Sequence, residues 1–181
     1  MPIYLGVEGP KMLALSGELC DGTILSVLAS PAYIEFAWEN VRAGCAVGGR
    51  DPKAHKMVVY VIFSIDDDGA RARDAVRPAI AEYLGAGGRP THLTNLAGVP
   101  EATMHEMGRI YREERRFPVE LVDDEIVAKV AVAGTPDECA AQLQKLIDAG
   151  SDEIVFFPFP SAETERVVER IASDLLPRLR A

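Results

Sequence analysis

An α/β fold built on a parallel sheet is what this 181-residue chain predicts, and two patterns carry the prediction. Short apolar runs alternate along the chain with stretches of helical period, each separated by turn residues. That order is the signature of strands joined by crossover helices. The strongest run, Met57 to Ser64, is continuously apolar and β-branched rather than alternating. Such a run fits a parallel strand covered on both faces. The length matches one domain over residues 1–181, large enough to bury a core.

Ile3-Tyr4-Leu5-Gly6-Val7 reads as the first strand, and Gly9-Pro10 opens a helix behind it. Met12, Leu15, Ser16 and Leu19 fall on one side of that helix, which stops at Asp21-Gly22. Thr23 to Leu28 is the second strand. Ser30 then caps a helix whose first residue is Pro31, where a missing N–H costs nothing. It runs through Tyr33, Phe36, Trp38 and Val41, and ends near Gly44. The Gly48 to Pro52 loop leads to the third strand, Met57 to Ser64. Asp67-Asp68-Gly69 starts a helix through Ala72, Ala75, Val76 and Tyr83, broken by Gly85 to Pro90. From about 92 to 125 the pattern is helical but irregular and polar, an inserted helical segment. Thr135-Pro136-Asp137-Glu138 is a capping box. Its helix uses Ala141, Leu143, Leu146 and Ile147, and stops at Gly150. Glu153 to Pro158 is the fourth strand. Ser161 caps a last helix with Val167, Val168, Ile171, Leu175 and Leu176 on its apolar side.

The composition narrows the possible partners. Hydrophobic residues make up 48% and charged residues 26%, with a net charge of −9. An acidic surface argues against nucleic acid and anionic membrane. No apolar run approaches the roughly 20 residues of a membrane span. Met1-Pro2-Ile3-Tyr4 is not a secretory signal. The three widely spaced cysteines, Cys20, Cys45 and Cys139, fit reduced thiols in a cytoplasm. His55, His92 and His105 show no ligand spacing, so no metal is expected. Asp66-Asp67-Asp68 lacks the spaced ligands of a calcium loop. Arg109, Arg112, Arg115 and Arg116, mixed with Glu113 and Glu114, read as a salt-bridged helix surface.

One constellation points to chemistry. Glu8-Gly9-Pro10-Lys11-Met12 joins a strand to a helix, and Gly9 as N-cap has no side-chain oxygen to occupy the first N–H groups. Those of Lys11, Met12 and Leu13 are then open to an anion, favoured by the helix dipole and the Lys11 ammonium. The plainer alternative is that Gly-Pro simply starts a helix.

Three stretches carry a family resemblance. They are Pro2 to Leu13 with Gly17-Glu18-Leu19-Cys20-Asp21-Gly22; Ser30-Pro31-Ala32-Tyr33 with Gly49-Arg50-Asp51-Pro52; and Ala133 to Glu138 with Ala149-Gly150 and Glu153-Ile154-Val155. Together they resemble the luciferase-like superfamily of flavin- and deazaflavin-dependent oxidoreductases, nearest to its methylenetetrahydromethanopterin reductase branch. The resemblance implies the C-terminal half of a (β/α)8 TIM barrel, the part that carries strands five to eight. It implies coenzyme F420 or FMN as cofactor, a small-molecule substrate, and Val7, Glu8, Gly9, Pro10, Lys11 and Met12 near the cofactor phosphate. Ser26, Ser64, Phe157 and Phe159, at strand carboxyl ends, become candidates for the substrate pocket. No catalytic residue is assigned, because the family's catalytic neighbourhood lies largely in the other half. A barrel of this type needs about 250 residues, and four strands alone leave open edges. A homodimer, or pairing with another half-barrel, is the expected remedy. The alternative is a truncated, non-catalytic half-barrel that self-associates and binds a flavin or other ligand.

Overall fold

A computed structural model describes residues 1–179. In chain order the elements are β1 (Tyr4–Gly6), α1 (Pro10–Leu19), β2 (Gly22–Leu25), α2 (Pro31–Gly48), β3 (Lys56–Ile65), α3 (Gly69–Gly87), α4 (His92–Leu96), α5 (Glu101–Glu114), α6 (Asp124–Val130), β4 (Val132–Gly134), α7 (Pro136–Asp148), β5 (Glu153–Pro158) and α8 (Thr164–Arg170). A π-turn over Ile171–Leu175 carries α8 into α9 (Leu176–Leu179).

All strand pairs are parallel. Lys56 N–H donates to Asp21 and Asp66 N–H to Gly134, whereas the Met57 and Phe63 carbonyls accept from Asp152 and Phe159. Backbone groups alternate along a strand, so β2 and β4 share one edge of β3 and β5 takes the other. The principal sheet is therefore β1-β2-β3-β5; α1, α2, α3 and α8 follow these strands in four β/α units, and α7 leads from β4 into β5. β4 is a fifth strand, where sequence patterning gives only a helix lead-in. It sits on the β2 edge beyond the point where β2 departs, pairing Phe63 to Ile65. Three residues are too few to show a period.

One face of the sheet is core. Met57, Val59, Phe63 and Ile65 are fully buried, and Phe63 meets Phe156 at 4.7 Å. The other face is partly open: Tyr60 in register with Val155, and Phe157 in register with the buried Ile62, leave three side chains half exposed.

Helix α1 corrects the expected packing. Its buried residues are Leu13, Ser16 and Gly17, while Met12, Leu15 and Leu19 are exposed. Close backbone contact, not bulk, joins α1 to α2. A Cβ on Gly17 would lie 2.1 Å from the Val41 carbonyl oxygen, and one on Gly44 1.8 Å from that of Ala14. Glycines set this helix distance, and the large side chains of α1 are turned away from it.

Ends differ too. β2 stops at Leu25, and the chain turns through Leu28 at φ +73°. α2 runs on to Gly48, where the αL conformation of Gly49 ends it. Cys20 is the residue after α1 rather than part of it. Ser161 belongs to a short 3-10 turn whose carbonyl accepts the Thr164 hydroxyl, so it is not a side-chain cap. Ala141 and Ile147 of α7 and Val168 of α8 face outward, where inward positions were expected. The Ser30 cap and the Thr135–Glu138 box form as expected, and a helix starts at Asp67-Asp68-Gly69, where Asp68 is the side-chain cap.

Candidate functional site

Barrel-type sites lie at the carboxyl ends of the strands, and the β1–α1 turn is built there. Gly9 is the N-cap of α1 with φ −79° and ψ 154°, and no side chain caps the helix. Its carbonyl already accepts the N–H groups of Met12 and Leu13, at 3.0 and 2.9 Å. Pro10 has no N–H. The expected set of three open N–H groups thus shrinks to that of Lys11, for which the described residues supply no acceptor. Bonding back to Gly9 satisfies the others as soon as the first turn closes.

The Lys11 side chain is exposed and makes no ion pair among the described residues. A Cβ on Gly9 would meet nothing within 4 Å, so the space in front of the turn is open. Glu8 is also exposed and is the nearest opposing charge in sequence. Val7 is half-buried, its N–H bonded to Ile24 at 3.3 Å.

What holds the turn was not foreseen from sequence. The Tyr33 hydroxyl donates to the Glu8 carbonyl at 2.5 Å, and the Tyr33 ring is fully buried. Burial, followed by the nearby Glu8 charge, pushes the phenol above its ordinary range, so it remains a donor. The Ser30-Pro31-Ala32-Tyr33 stretch is therefore physically tied to Glu8-Gly9-Pro10. Their matched presence was the available signal, but a contact 25 residues apart has no period to reveal it.

Glu8 and Ser26 come together on a cavity of about 120 Å³, joined by Tyr83, Arg89, Thr91 and Thr94. Arg89 and Thr91 come from the α3–α4 connection, which sequence reading treated only as a break, and Thr94 from the first turn of α4. Thr91 and Thr94 cap one another reciprocally at the start of α4, with N···O distances of 2.9 and 3.4 Å. Helix α3 thereby carries the chain from the top of β3 to the ends of β1 and β2.

The remaining pocket candidates lie apart from this cavity. Ser64 is buried in register with Ala133 of β4, and its carbonyl receives the Cys139 thiol at 3.5 Å. Phe157 is on the partly open face with Tyr60, half exposed, in edge contact with Phe159 at 4.8 Å.

Other candidates have structural partners. Arg109 pairs with Glu106 and Glu113 at 2.7 and 2.5 Å, and Arg116 with Glu114 at 2.8 Å. Burial raises Asp66, but the Asp68 N–H and the nearby Arg71 and Arg166 outweigh it and hold its carboxyl below the usual range. Burial pushes the Cys139 thiol up to about 12, so it is inert. Among the described residues no group of three or more His, Cys, Asp or Glu is arranged to hold a metal. No described helix is long and apolar enough to cross a membrane.

Known proteins place this architecture. The profile of the luciferase-like monooxygenase family matches residues 1–153. The 5,10-methylenetetrahydromethanopterin reductase of Methanolobus tindarius is 30% identical over 178 residues, covering 97% of this chain and 54% of the relative. An F420-dependent glucose-6-phosphate dehydrogenase of Tsukamurella paurometabola is 28% identical, over 100% of this chain and 49% of its own length. Among solved structures, the coenzyme F420-dependent tetrahydromethanopterin reductase of Methanopyrus kandleri has a TM-score of 0.85 at 23% identity, covering 99% of this chain and 51% of that one. This chain therefore spans about half the length of the relatives it matches. Parallel β/α units in this order, matched by the family profile over most of their length, make the chain a member of the luciferase-like monooxygenase family.

Proposed function

We propose that this chain is the C-terminal part of a flavin- or deazaflavin-dependent oxidoreductase, and that it supplies the seat for the cofactor phosphate and one wall of the pocket. The carrying observation is the β1–α1 turn, where an open Lys11 N–H and an unpaired Lys11 ammonium stand before a side-chain-free Gly9. Phosphate fits that set of donors, since both charge and dipole favour an anion there. The exposed Glu8 carboxylate must turn outward for it to do so. Tyr33 holds the Glu8 peptide and thereby fixes the direction of the turn. Tyr60, Val155 and Phe157 give the partly open face an apolar wall suited to a flat ring. When bound, the cofactor supplies the hydride chemistry, while the protein orients it.

Coenzyme F420 is preferred over FMN because the relatives named above are F420-dependent enzymes or methylenetetrahydromethanopterin reductases. The substrate is a small molecule, entering beside Ser26 and Arg89. A cytoplasmic location accords with three free cysteines. A second reading, a non-catalytic half-barrel that self-associates and binds a flavin, draws on the partly open sheet face.

The test compares FMN with riboflavin in the barrel completed by its other half. Replacing Lys11 with Met should weaken FMN by about five- to thirtyfold, roughly 1–2 kcal/mol, and leave riboflavin unchanged. Gly9→Asp should do more harm to FMN binding while keeping or raising the melting temperature, because its carboxylate caps the same helix. Equal FMN affinity in Gly9→Asp and wild type would show that the turn merely starts a helix.

A further inference from the structure

A second cleft opens at the other end of the sheet from the Gly9 turn. It holds about 500 Å³, enough for a small organic ligand, and lies between α2 and the residues that lead into β3 and β5. Trp38, Arg42, Lys53, His55 and Asp152 line it. Arg42 sits over the Trp38 ring at 5.3 Å, and neither Arg42 nor Lys53 is in an ion pair among the described residues. Asp152 is already engaged, taking the Lys56 ammonium at 3.1 Å and the Met57 N–H at 2.9 Å. In a chain of net charge −9 this cleft is a local reversal of sign. A cleft lined by one sign of charge concentrates ions of the other.

His55 adds an independent feature. It is 4% exposed, and its Nδ1 is buried with no hydrogen-bond partner among the described residues. The polar chain behind it fixes the protons. Ser16 donates to the Gly22 carbonyl, so Thr23 donates to Ser16 and His55 Nε2–H to Thr23. The neutral ring is left with a bare lone pair on Nδ1, and a buried acceptor without a donor is unfavourable. Two unpaired cations beside it argue against a cationic donor. An anion that brings a proton meets both demands.

We propose that this cleft binds the phosphate group of a small phosphorylated molecule, with one proton held between the phosphate and His55 Nδ1, at a site separate from the cofactor seat. A phosphate monoester titrates at about pH 6 and carries roughly −1.5 to −2 charges at neutral pH, so it matches the two cations and has a proton to share. Arg42 offers a planar fork of donors and Lys53 a point charge. Trp38 and Pro52 give the organic part an apolar side. Around the same ring stand Asp21, Arg50 and Asp51, of which Asp21 and Arg50 pair at 2.8 Å and Asp51 accepts the Lys53 N–H. The nearby Cys20 carbonyl favours the charged ring without bonding Nδ1.

The test titrates the purified chain with phenyl phosphate at constant ionic strength, with benzoate and phenol for comparison. Trp38 is the chain's only tryptophan, so its fluorescence reports this cleft and not the Gly9 turn. Phenyl phosphate should change that fluorescence saturably, with a Kd of about 1 mM or below. Benzoate should bind roughly tenfold more weakly, and phenol not at all. Calorimetry in buffers of different ionisation enthalpy should show uptake of about one proton at pH 7.5. Arg42→Met and Lys53→Met, both at exposed side chains, should each weaken binding roughly five- to thirtyfold. His55→Gln should abolish the proton uptake, and Lys11→Met should leave the Trp38 signal unchanged. No fluorescence change, benzoate as tight as phenyl phosphate, or undiminished proton uptake in His55→Gln would overturn the proposal. So would binding that is lost in Lys11→Met and kept in Arg42→Met, which belongs to the cofactor seat. If His55→Gln does not fold, binding to the wild type without proton uptake decides the same point against His55.

Discussion

His55 lies at the foot of β3, 4% exposed, at the end of a buried polar chain. Its Nε2 is 2.9 Å from the Thr23 hydroxyl, which is 2.8 Å from that of Ser16, and Ser16 donates to the Gly22 carbonyl. Desolvation lowers the imidazole pKa from its usual 6.5, so the folded protein prefers the neutral ring. As pH falls below 6.5 the unfolded chain takes up a proton before the folded one does. The stability contributed by neutral His55 is therefore complete above that pH and is lost on descending toward the folded pKa. The melting temperature should drop between pH 7 and pH 5, and His55→Gln should flatten that dependence. An unchanged slope in the variant would remove His55 from the account. The sequence shows no ligand spacing around His55, and the structure buries it as a core residue. The partners across α1, β2 and β3 could not be read, because each is polar and none falls on a periodic pattern.

At the scale of elements, helix starts were legible and packing faces were not. Ser30, Asp68 and Thr135 act within three residues of themselves, so local chemistry alone identifies them. α1 was misjudged because its contact with α2 is made by absent side chains, which a hydrophobic pattern does not register. Gly44→Ala tests this: the added Cβ is aimed at the Ala14 carbonyl, so the helices must separate. A loss of about 2–3 kcal/mol is expected in urea denaturation. Gly9→Ala, with nothing within 4 Å, should change stability far less. Equal effects at the two positions would refute the close-contact explanation. The same limitation hid β4, which depends on a neighbour 69 residues away rather than on its own three side chains.

For the whole molecule, the open face limits what the chain does unaided. Four β/α units supply one wall of a barrel interior, and water has access to Tyr60, Val155 and Phe157. The purified chain mixed with FMN or coenzyme F420 and a reductant should therefore turn over far more slowly than about 1 s⁻¹. Optical monitoring of cofactor oxidation measures this directly, and enzyme-like turnover by the chain alone would refute it. The β4 strand bears on a different property, the capacity of the fold to change. The chain leaves β3 after Ile65 and returns at Val132, with Ile65 in register with Gly134 and Asp66 N–H on the Gly134 carbonyl. Departure and re-entry are thus stitched together on one strand end, just beyond Phe63, where the β3–β5 ladder stops. Such an arrangement makes the intervening helices an exchangeable cassette. Evolution, or an engineer, can lengthen or replace them to alter the chamber above Ser26 while the Gly9 turn and the sheet below keep their geometry.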